Sequence, residues 1–224
     1  APSPVARAPH PLEPSLCHHA ALPTDPAALA ACLRGLGEEP RLVMLGALSD
    51  VLSRRPELRS LAPCMIELGE VEDELAVVEV CRFFQATREP SGAALMSRLM
   101  RRHPDVLVRM YALPAYEALG GPVSAFHEAT SDESLPVRVL ALEALVRAGE
   151  EDWTELLPYL LDPTDTVTAI RASDAISELV PEGSFDVALK HLRACLADPR
   201  SPPSVTEAVR HNIWRLDGEE EAES

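Results

Sequence analysis

The sequence predicts an all-α fold in which about six antiparallel helical hairpins stack into an α-solenoid. Apolar residues recur at helical spacing, and Ala and Leu supply most of them, since aromatic residues make up only 4% of the 224 residues. Asp, Pro and Gly interrupt this pattern at regular intervals. The sequence has no alternating β-strand segment of useful length and no glycine-rich phosphate loop, so an α/β nucleotide-binding fold is disfavoured.

The clearest hairpin lies at residues 156–180. Leucines at helical spacing are followed by the breaking segment Asp162-Pro163-Thr164-Asp165, and a second apolar run resumes at Val167 and continues to Leu179. Neither helix alone has enough apolar face to be stable in water. The hairpin must therefore stack on others of its kind.

Helix start and stop signals place the other hairpins in order. Asp25-Pro26 supplies an N-cap and a first-turn proline, Pro114 is expected to bend a helix, and Gly120-Gly121 is expected to end it. The run from Val71 is apolar all round, which predicts a place in the middle of the stack. The predicted helix pairs are 27–36 with 40–54, 57–68 with 71–86, 92–103 with 105–119, 122–129 with 135–148, 156–161 with 167–179, and 185–197 with 204–216.

The chain therefore divides into three predicted segments. Residues 1–24 hold six prolines and are expected to form an extended N-terminal arm. Residues 25–216 form a single helical-repeat domain. Five of the eight residues 217–224 are acidic, and this segment is expected to form a solvated C-terminal tail.

The hairpins repeat at a nearly constant period. Apolar landmarks early in the second helices are separated by 33, 33, 29, 31 or 33, and 37 or 35 residues. A two-helix repeat of this length is typical of a solenoid. The landmarks are Leu42, Leu75, Val108, Val137, Thr168 or Ile170, and Val205.

This pattern resembles the HEAT-repeat family, whose second helices open with an apolar-Arg pair followed by alanines. An Asp and an Arg six residues apart form a ladder between neighbouring repeats in that family. The pairs Asp132/Arg138 and Asp165/Arg171 match it, His103 stands at the Asp position of the third hairpin, and hairpins one, two and six lack the pair. The closest helix openings are Leu135-Pro136-Val137-Arg138 with Ala141, Ala144 and Leu145, and Val108-Arg109 with Ala112 and Ala115.

The resemblance implies a right-handed solenoid whose second helices line a concave surface. It also implies that Asp132, Arg138, Asp165 and Arg171 hold neighbouring repeats together and perform no chemistry.

The formal net charge of −16 limits the classes of partner. An acidic chain repels phosphate backbones and anionic lipid surfaces, so nucleic acid is not expected as a partner. No run of eighteen apolar residues occurs, so membrane insertion is not expected either. We expect a protein partner that is basic or rich in arginine.

The five cysteines are Cys17, Cys32, Cys64, Cys81 and Cys195. Their odd number and scattered positions predict reduced, mostly buried thiols in a cytoplasmic protein, although a Cys64–Cys81 disulfide is conceivable. Residues 1–30 do not resemble a retained signal peptide, and an N-terminus without Met is compatible with processing or trimming.

One group of potential metal ligands stands in the arm. Cys17, His18 and His19 are adjacent, with His10 upstream, but no CxxC or HxxxH spacing completes a ligand set. The alternative is an arm that packs on the first hairpin or stays mobile. We expect neither a structural metal nor a cofactor.

The function that the sequence favours is a non-enzymatic scaffold that binds a protein partner on the concave face. We expect the contact residues to project outward from the second helices of the third and fourth hairpins. They are Met110, Leu113, Glu117, Leu142, Glu143 and Val146.

Two alternatives stay open. Some relatives of this architecture are bilin lyases and others are DNA glycosylases, so an enzyme on the same scaffold is possible in principle. The acidic chain offers only Trp153 and Trp214 as tryptophans, and Cys17 beside two histidines is its sole cluster of nucleophile and base. The other alternative is a structural or regulatory subunit that docks through its arm or its tail.

Overall fold

The computed structural model describes residues 25–49, 56–70, 73–161 and 165–218. The predictions for the arm 1–24, including Cys17, His18 and His19, and for residues 219–224 lie outside the described residues. The described residues form helices and connecting turns without a strand. This confirms the all-α class.

Twelve α-helices occur in the described residues, and most begin and end within a few residues of their predicted bounds. They are α1 Pro26–Gly35, α2 Glu38–Ser49, α3 Ala62–Leu68, α4 Glu74–Thr87, α5 Ala93–Arg102, α6 Val106–Ala118, α7 Val123–Ala129, α8 Leu135–Arg147, α9 Leu157–Leu160, α10 Thr166–Leu179, α11 Phe185–Ala197 and α12 Pro203–Asp217.

The predicted first helix of hairpin two is divided into a short 3-10 helix and an α-helix, and a 3-10 helix also precedes the first helix of hairpin five. The 3-10 helix Pro56–Leu61 precedes α3, and Trp153–Leu156 precedes α9. A proline near the start of each α-helix, Pro63 or Pro158, lacks a backbone N–H and cannot continue the preceding hydrogen-bond pattern. The helix therefore begins again at that point.

Aspartate N-caps start several helices, as the sequence predicts for α1. The carboxylate of Asp105 accepts a hydrogen bond from the backbone N–H of Leu107 at 2.7 Å. Helix α6 continues through Pro114, and Gly120 follows its C-terminal end with φ +76°, a conformation that favours glycine.

The contacts divide the chain into two compact units, which meet in sequence between Gly92 and Ala93. In the first unit, α2 and α3 both pack along α4, and α1 packs against the 3-10 helix Pro56–Leu61. Its buried side chains include Phe83 and Phe84, whose rings meet edge to face with centroids 5.2 Å apart. The prediction of a single domain over 25–216 stays a prediction.

The second unit is a series of helix pairs: α5 with α6, α7 with α8, α9 with α10, and α11 with α12. The second helices lie side by side, α6 against α8, α8 against α10 and α10 against α12. Ion pairs link the C-terminal turn of α6 to that of α8, through Glu117 and Arg147. Like ends are therefore adjacent.

The cysteines agree with the sequence where the structure describes them. Cys64, Cys81 and Cys195 are buried, Cys32 is half-buried, and all four are free thiols. Burial raises the pKa of Cys81 to about 12.

Candidate functional site

The six predicted contact residues do not share one environment. Met110, Glu117, Leu142 and Val146 are half-buried, whereas Leu113 and Glu143 are each 1% exposed. The expectation that Leu113 and Glu143 project outward is therefore wrong. A second helix has neighbours on two or three sides, so fewer of its positions reach solvent than the helical pattern of one chain segment suggests.

The side chains of Leu142 and Val146 are partly buried in the hydrophobic core. Both pack against the core that Trp153 shares with residues of α8, α10, α11 and α12. Met110 and Glu117 of α6 are half-buried as well, but they do not belong to this core.

Glu143 is buried because two arginines surround its carboxylate. The Nε and Nη2 of Arg171 on α10 donate to the two carboxylate oxygens of Glu143, each at 2.9 Å. Arg147, which lies on α8 with Glu143, donates to Oε1. Arg147 also donates to Glu117 of α6 at 2.9 Å. This network of two carboxylates and two guanidinium groups joins three second helices and holds no net charge.

Arg109 is a second buried charge that connects separate segments. Arg109 is 5% exposed, and its guanidinium donates to both carboxylate oxygens of Asp132, each at 3.0 Å. It also donates to the carbonyl oxygens of His103 and Pro104 at 2.9 and 3.1 Å. The hydrogen bond to Asp132 is the main cause that raises the pKa of Arg109 above its ordinary value. Arg109 therefore ties the α5–α6 turn to the α7–α8 turn.

Asp132 thus bridges two hairpins, but its side-chain partner is Arg109. Arg138, the residue paired with it by spacing, donates instead to the backbone carbonyl oxygen of Asp132. Arg109 and Arg138 occupy the same position, the fourth residue of α6 and of α8. Each folds back onto the carbonyl groups of the turn before its own helix.

Asp165 and Arg171 differ from Asp132 and Arg138 in their contacts. Helix α10 begins directly after Asp165, whereas α8 begins three residues after Asp132. Asp165 is itself the N-cap and accepts from the N–H of Thr168 at 3.0 Å. Arg171 is therefore the sixth residue of α10, and a shift of two helical residues turns a side chain by about 200°. It points to Glu143 of α8 and not to the preceding turn.

A polar cluster that the sequence reasoning missed joins α10 to α12. Asn212 is fully buried, and its Nδ2 donates to Ser173 Oγ and to Asp174 Oδ1, both at 2.8 Å. Ser177 donates to the Oδ1 of Asn212 at 2.9 Å, and Arg215 donates to Ser177 at 3.1 Å. The sequence signal for this cluster was a pair of serines, Ser173 and Ser177, four residues apart on an alanine-rich helix face.

The C-terminal ends of α8 and α10 carry what we call the acidic turn cluster. The turns after these neighbouring helices carry Trp153 and Val180, and both side chains belong to one hydrophobic core. Among the described residues, no member of the cluster forms an ion pair. The cluster consists of Glu150, Glu151, Asp152, Glu155, Glu178 and Glu182.

In the acidic turn cluster, Asp152 is the member with a local partner. Its carboxylate accepts from the hydroxyl and the backbone N–H of Thr154 at 2.7 and 2.9 Å, and these bonds lower its pKa. Glu151 is half-buried, and the other members are exposed. The cluster is a concentration of negative charge beside the negative ends of two helix dipoles.

Within the described ranges, no group of three or more His, Cys, Asp or Glu side chains is placed to hold a metal ion. The Cys17-His18-His19 group lies outside these ranges. None of the described helices is both long enough and apolar enough to span a bilayer.

Comparison with known proteins assigns no family. No family model and no curated protein matches the chain. The solved structures similar to it include a crystal structure of an engineered protein, a target of the Northeast Structural Genomics Consortium. That protein is 15% identical, with 86% of this chain and 96% of that chain covered and a TM-score of 0.46. A similarity of this degree assigns neither fold nor function.

Proposed function

We propose that this protein is a non-enzymatic interaction scaffold, a right-handed HEAT-like solenoid that holds a basic protein partner across its second helices. The observation that carries the proposal is the side-by-side arrangement of α6, α8, α10 and α12 in the second unit. Hairpins stacked in this way present equivalent positions at regular intervals, which suits an extended partner.

The charges of the second unit support a basic partner. The Glu143 network is neutral as a whole, so these four side chains together attract neither sign strongly. The acidic turn cluster forms no ion pair among the described residues. A partner that lies over Met110 and Glu117 and extends to this cluster would supply the missing arginines or lysines.

The location that we propose is the cytoplasm. Four free cysteines in the described residues, three of them buried, are typical of proteins in a reducing compartment.

The test uses a fluorescein-labelled arginine-rich peptide and fluorescence anisotropy at low and high salt. Reversing three charges of the cluster, with Glu150→Arg, Glu155→Arg and Glu178→Arg, is expected to weaken binding about tenfold and to flatten the dependence on salt. The matched control reverses three exposed charges in the first unit, with Glu38→Arg, Glu39→Arg and Glu74→Arg. We expect a loss of less than about twofold in the control.

An equal loss in both triple variants would show that only the net charge attracts the peptide, and the proposed binding site would be wrong. If the site holds, the same pair of variants discriminates true partners in a native cell extract. A true partner is retained by the control and lost from the cluster variant.

A further inference from the structure

Helix α6 contains a proline in its interior, and this proline changes the hydrogen bonding of the helix. Pro114 is the ninth of the thirteen residues of α6. In a regular α-helix, each backbone N–H donates to the carbonyl oxygen four residues earlier. Pro114 has no N–H, so the carbonyl oxygen of Met110 lacks the donor that any other residue at position 114 would supply. A proline ring also crowds this carbonyl group and bends the helix there.

The carbonyl group of Met110 lies on the accessible side of α6. Met110, Pro114 and Glu117 follow one another at intervals of four and three residues, so they share one side of the helix, and each is half-buried. A carbonyl group in a helix points towards the residue four positions later, which here is Pro114. The opposite side of α6 holds residues with no exposed surface, Val108, Ala112 and Ala115.

This carbonyl oxygen has no other donor in the part of the chain that the structure describes. No side chain of the described residues donates a hydrogen bond to it. On an accessible surface, water satisfies such an acceptor. A partner that covers the site excludes this water, and an acceptor that is covered without a donor costs free energy. The partner therefore has to bring a donor of its own.

Glu117 offers a second acceptor beside Pro114. Its side chain is 26% exposed, and its two oxygens accept from Nη1 of Arg147 at 3.2 and 2.9 Å. A carboxylate has about four acceptor positions. Glu143 uses its carboxylate more fully, since it accepts from both Arg147 and Arg171. The carboxylate of Glu117 therefore has room for a second guanidinium group.

We infer that the Met110 carbonyl oxygen and the Glu117 carboxylate together bind one arginine side chain of the basic partner, an inference that rests on the proposed function. Pro114 and Glu117 are about 4.5 Å apart along the helix axis. A guanidinium group presents five N–H donors in one plane, so one arginine donates to both acceptors, whereas lysine has a single nitrogen. The acidic turn cluster attracts the partner, and this site fixes one arginine at a defined position on α6.

The direct test follows the carbonyl carbon of Met110 by NMR. Met-Tyr occurs once in the sequence, at Met110-Tyr111. A full chain labelled with ¹³C at the methionine carbonyl and with ¹⁵N in tyrosine therefore gives one signal in an HNCO spectrum. The fluorescein-labelled arginine-rich peptide is expected to shift this signal, and a lysine-rich peptide of the same length is expected to shift it less. The matched control is the buried Met100, whose carbonyl is observed with ¹⁵N arginine through Met100-Arg101 and is expected to stay in place.

Pro114→Ala tests the same acceptor by pairing it within the helix. The new N–H donates to Met110, so we expect the affinity for the arginine-rich peptide, measured by fluorescence anisotropy, to fall about fivefold. The resistance of the chain to urea is expected to rise, because alanine is a better helix former than proline. The matched control is Pro136→Ala. Pro136 is half-buried too, but it is the second residue of α8, where an N–H has no acceptor within the helix.

We expect Pro136→Ala to change the affinity by less than about twofold. Unchanged affinity in Pro114→Ala, or a Met110 signal that stays in place while the peptide binds, would overturn the inference. The proposed function would survive that result if reversing three charges of the acidic turn cluster still weakens binding. A full chain that binds no arginine-rich peptide would overturn both.

Discussion

Acidic side chains at the N-terminal ends of the second helices of the second unit hold the fold together, whereas most of those in the acidic turn cluster do not. Asp105 and Asp165 cap α6 and α10, and Asp132 holds Arg109. The acidic turn cluster, at the opposite ends of α8 and α10, has no ion pair among the described residues. An acidic residue is thus structural at one position and available to a partner at another. A net charge counted from the sequence does not distinguish structural from available carboxylates.

The largest expected effect at the N-terminal ends comes from Arg109→Ala. Its removal takes the guanidinium away from two turn carbonyl groups and from Asp132, which keeps the backbone N–H of Ser134 as a donor. We expect the free energy of unfolding to fall by about 3 kcal/mol because the paired charge is left in a mostly buried site. Urea denaturation monitored by circular dichroism measures it. The control is Arg200→Ala, which removes an equally close pair with Asp198 at a side chain that is 71% exposed.

We expect Arg200→Ala to leave the free energy of unfolding nearly unchanged, because solvent screens an exposed pair. Similar losses in the two variants would mean that the buried and exposed aspartate pairs are equivalent, and the contrast between the sites would fail.

A smaller effect is expected from Asp105→Ala, which removes the N-cap of α6. A lost cap of this kind costs about 1 kcal/mol. The comparison variant is Glu178→Ala in the acidic turn cluster, where the change removes the same charge but no hydrogen bond, and we expect less than about 0.5 kcal/mol. Thermal unfolding of both variants beside the unsubstituted chain measures the difference. A larger loss from Glu178→Ala would show that the cluster also stabilises the fold.

The smallest effect concerns Asp198, in the turn before α12. The hydrogen bond from the Arg200 side chain is the main cause that lowers the pKa of Asp198 to about 2. Because this pKa lies below the unfolded value of about 3.9, its contribution to stability is present above about pH 4 and is lost as the pH falls through about 2. An NMR titration of the side-chain carboxyl carbon of Asp198 is expected to show this midpoint. Arg200→Gln is expected to raise the midpoint towards the ordinary value of about 3.9. An unchanged midpoint in Arg200→Gln would assign the shift to another group.

Much of the helical pattern was predictable because its signals are local. Asp25 followed by Pro26 marked the start of α1, and Gly120 marked the end of α6, since an N-cap and a left-handed glycine act on neighbouring residues. The division of the predicted first helix of hairpin two was visible in principle at Pro63. It was missed because the apolar spacing continues across the break.

The candidate site was less predictable because its residues depend on other helices. The helical pattern of α8 predicts an exposed Glu143. The residue is buried because Arg171 of α10, together with Arg147, surrounds its carboxylate. The register of Arg171 depended on where α10 begins, a boundary that sequence reasoning fixes to within a few residues. Asn212 had no sequence partner, because its serines lie more than thirty residues away in an earlier hairpin.

The buried Asn212 also limits how freely hairpins of this chain can be exchanged. Repeat proteins tolerate duplication and shuffling when each junction is apolar and interchangeable. The junction of α10 with α12 instead requires two serine hydroxyl groups opposite one amide. A hairpin without them would leave the amide oxygen of Asn212 without its donor in the core, and its Nδ2 with Asp174 alone. The last hairpin is therefore specific to its neighbour, and the series has one permitted order at this junction.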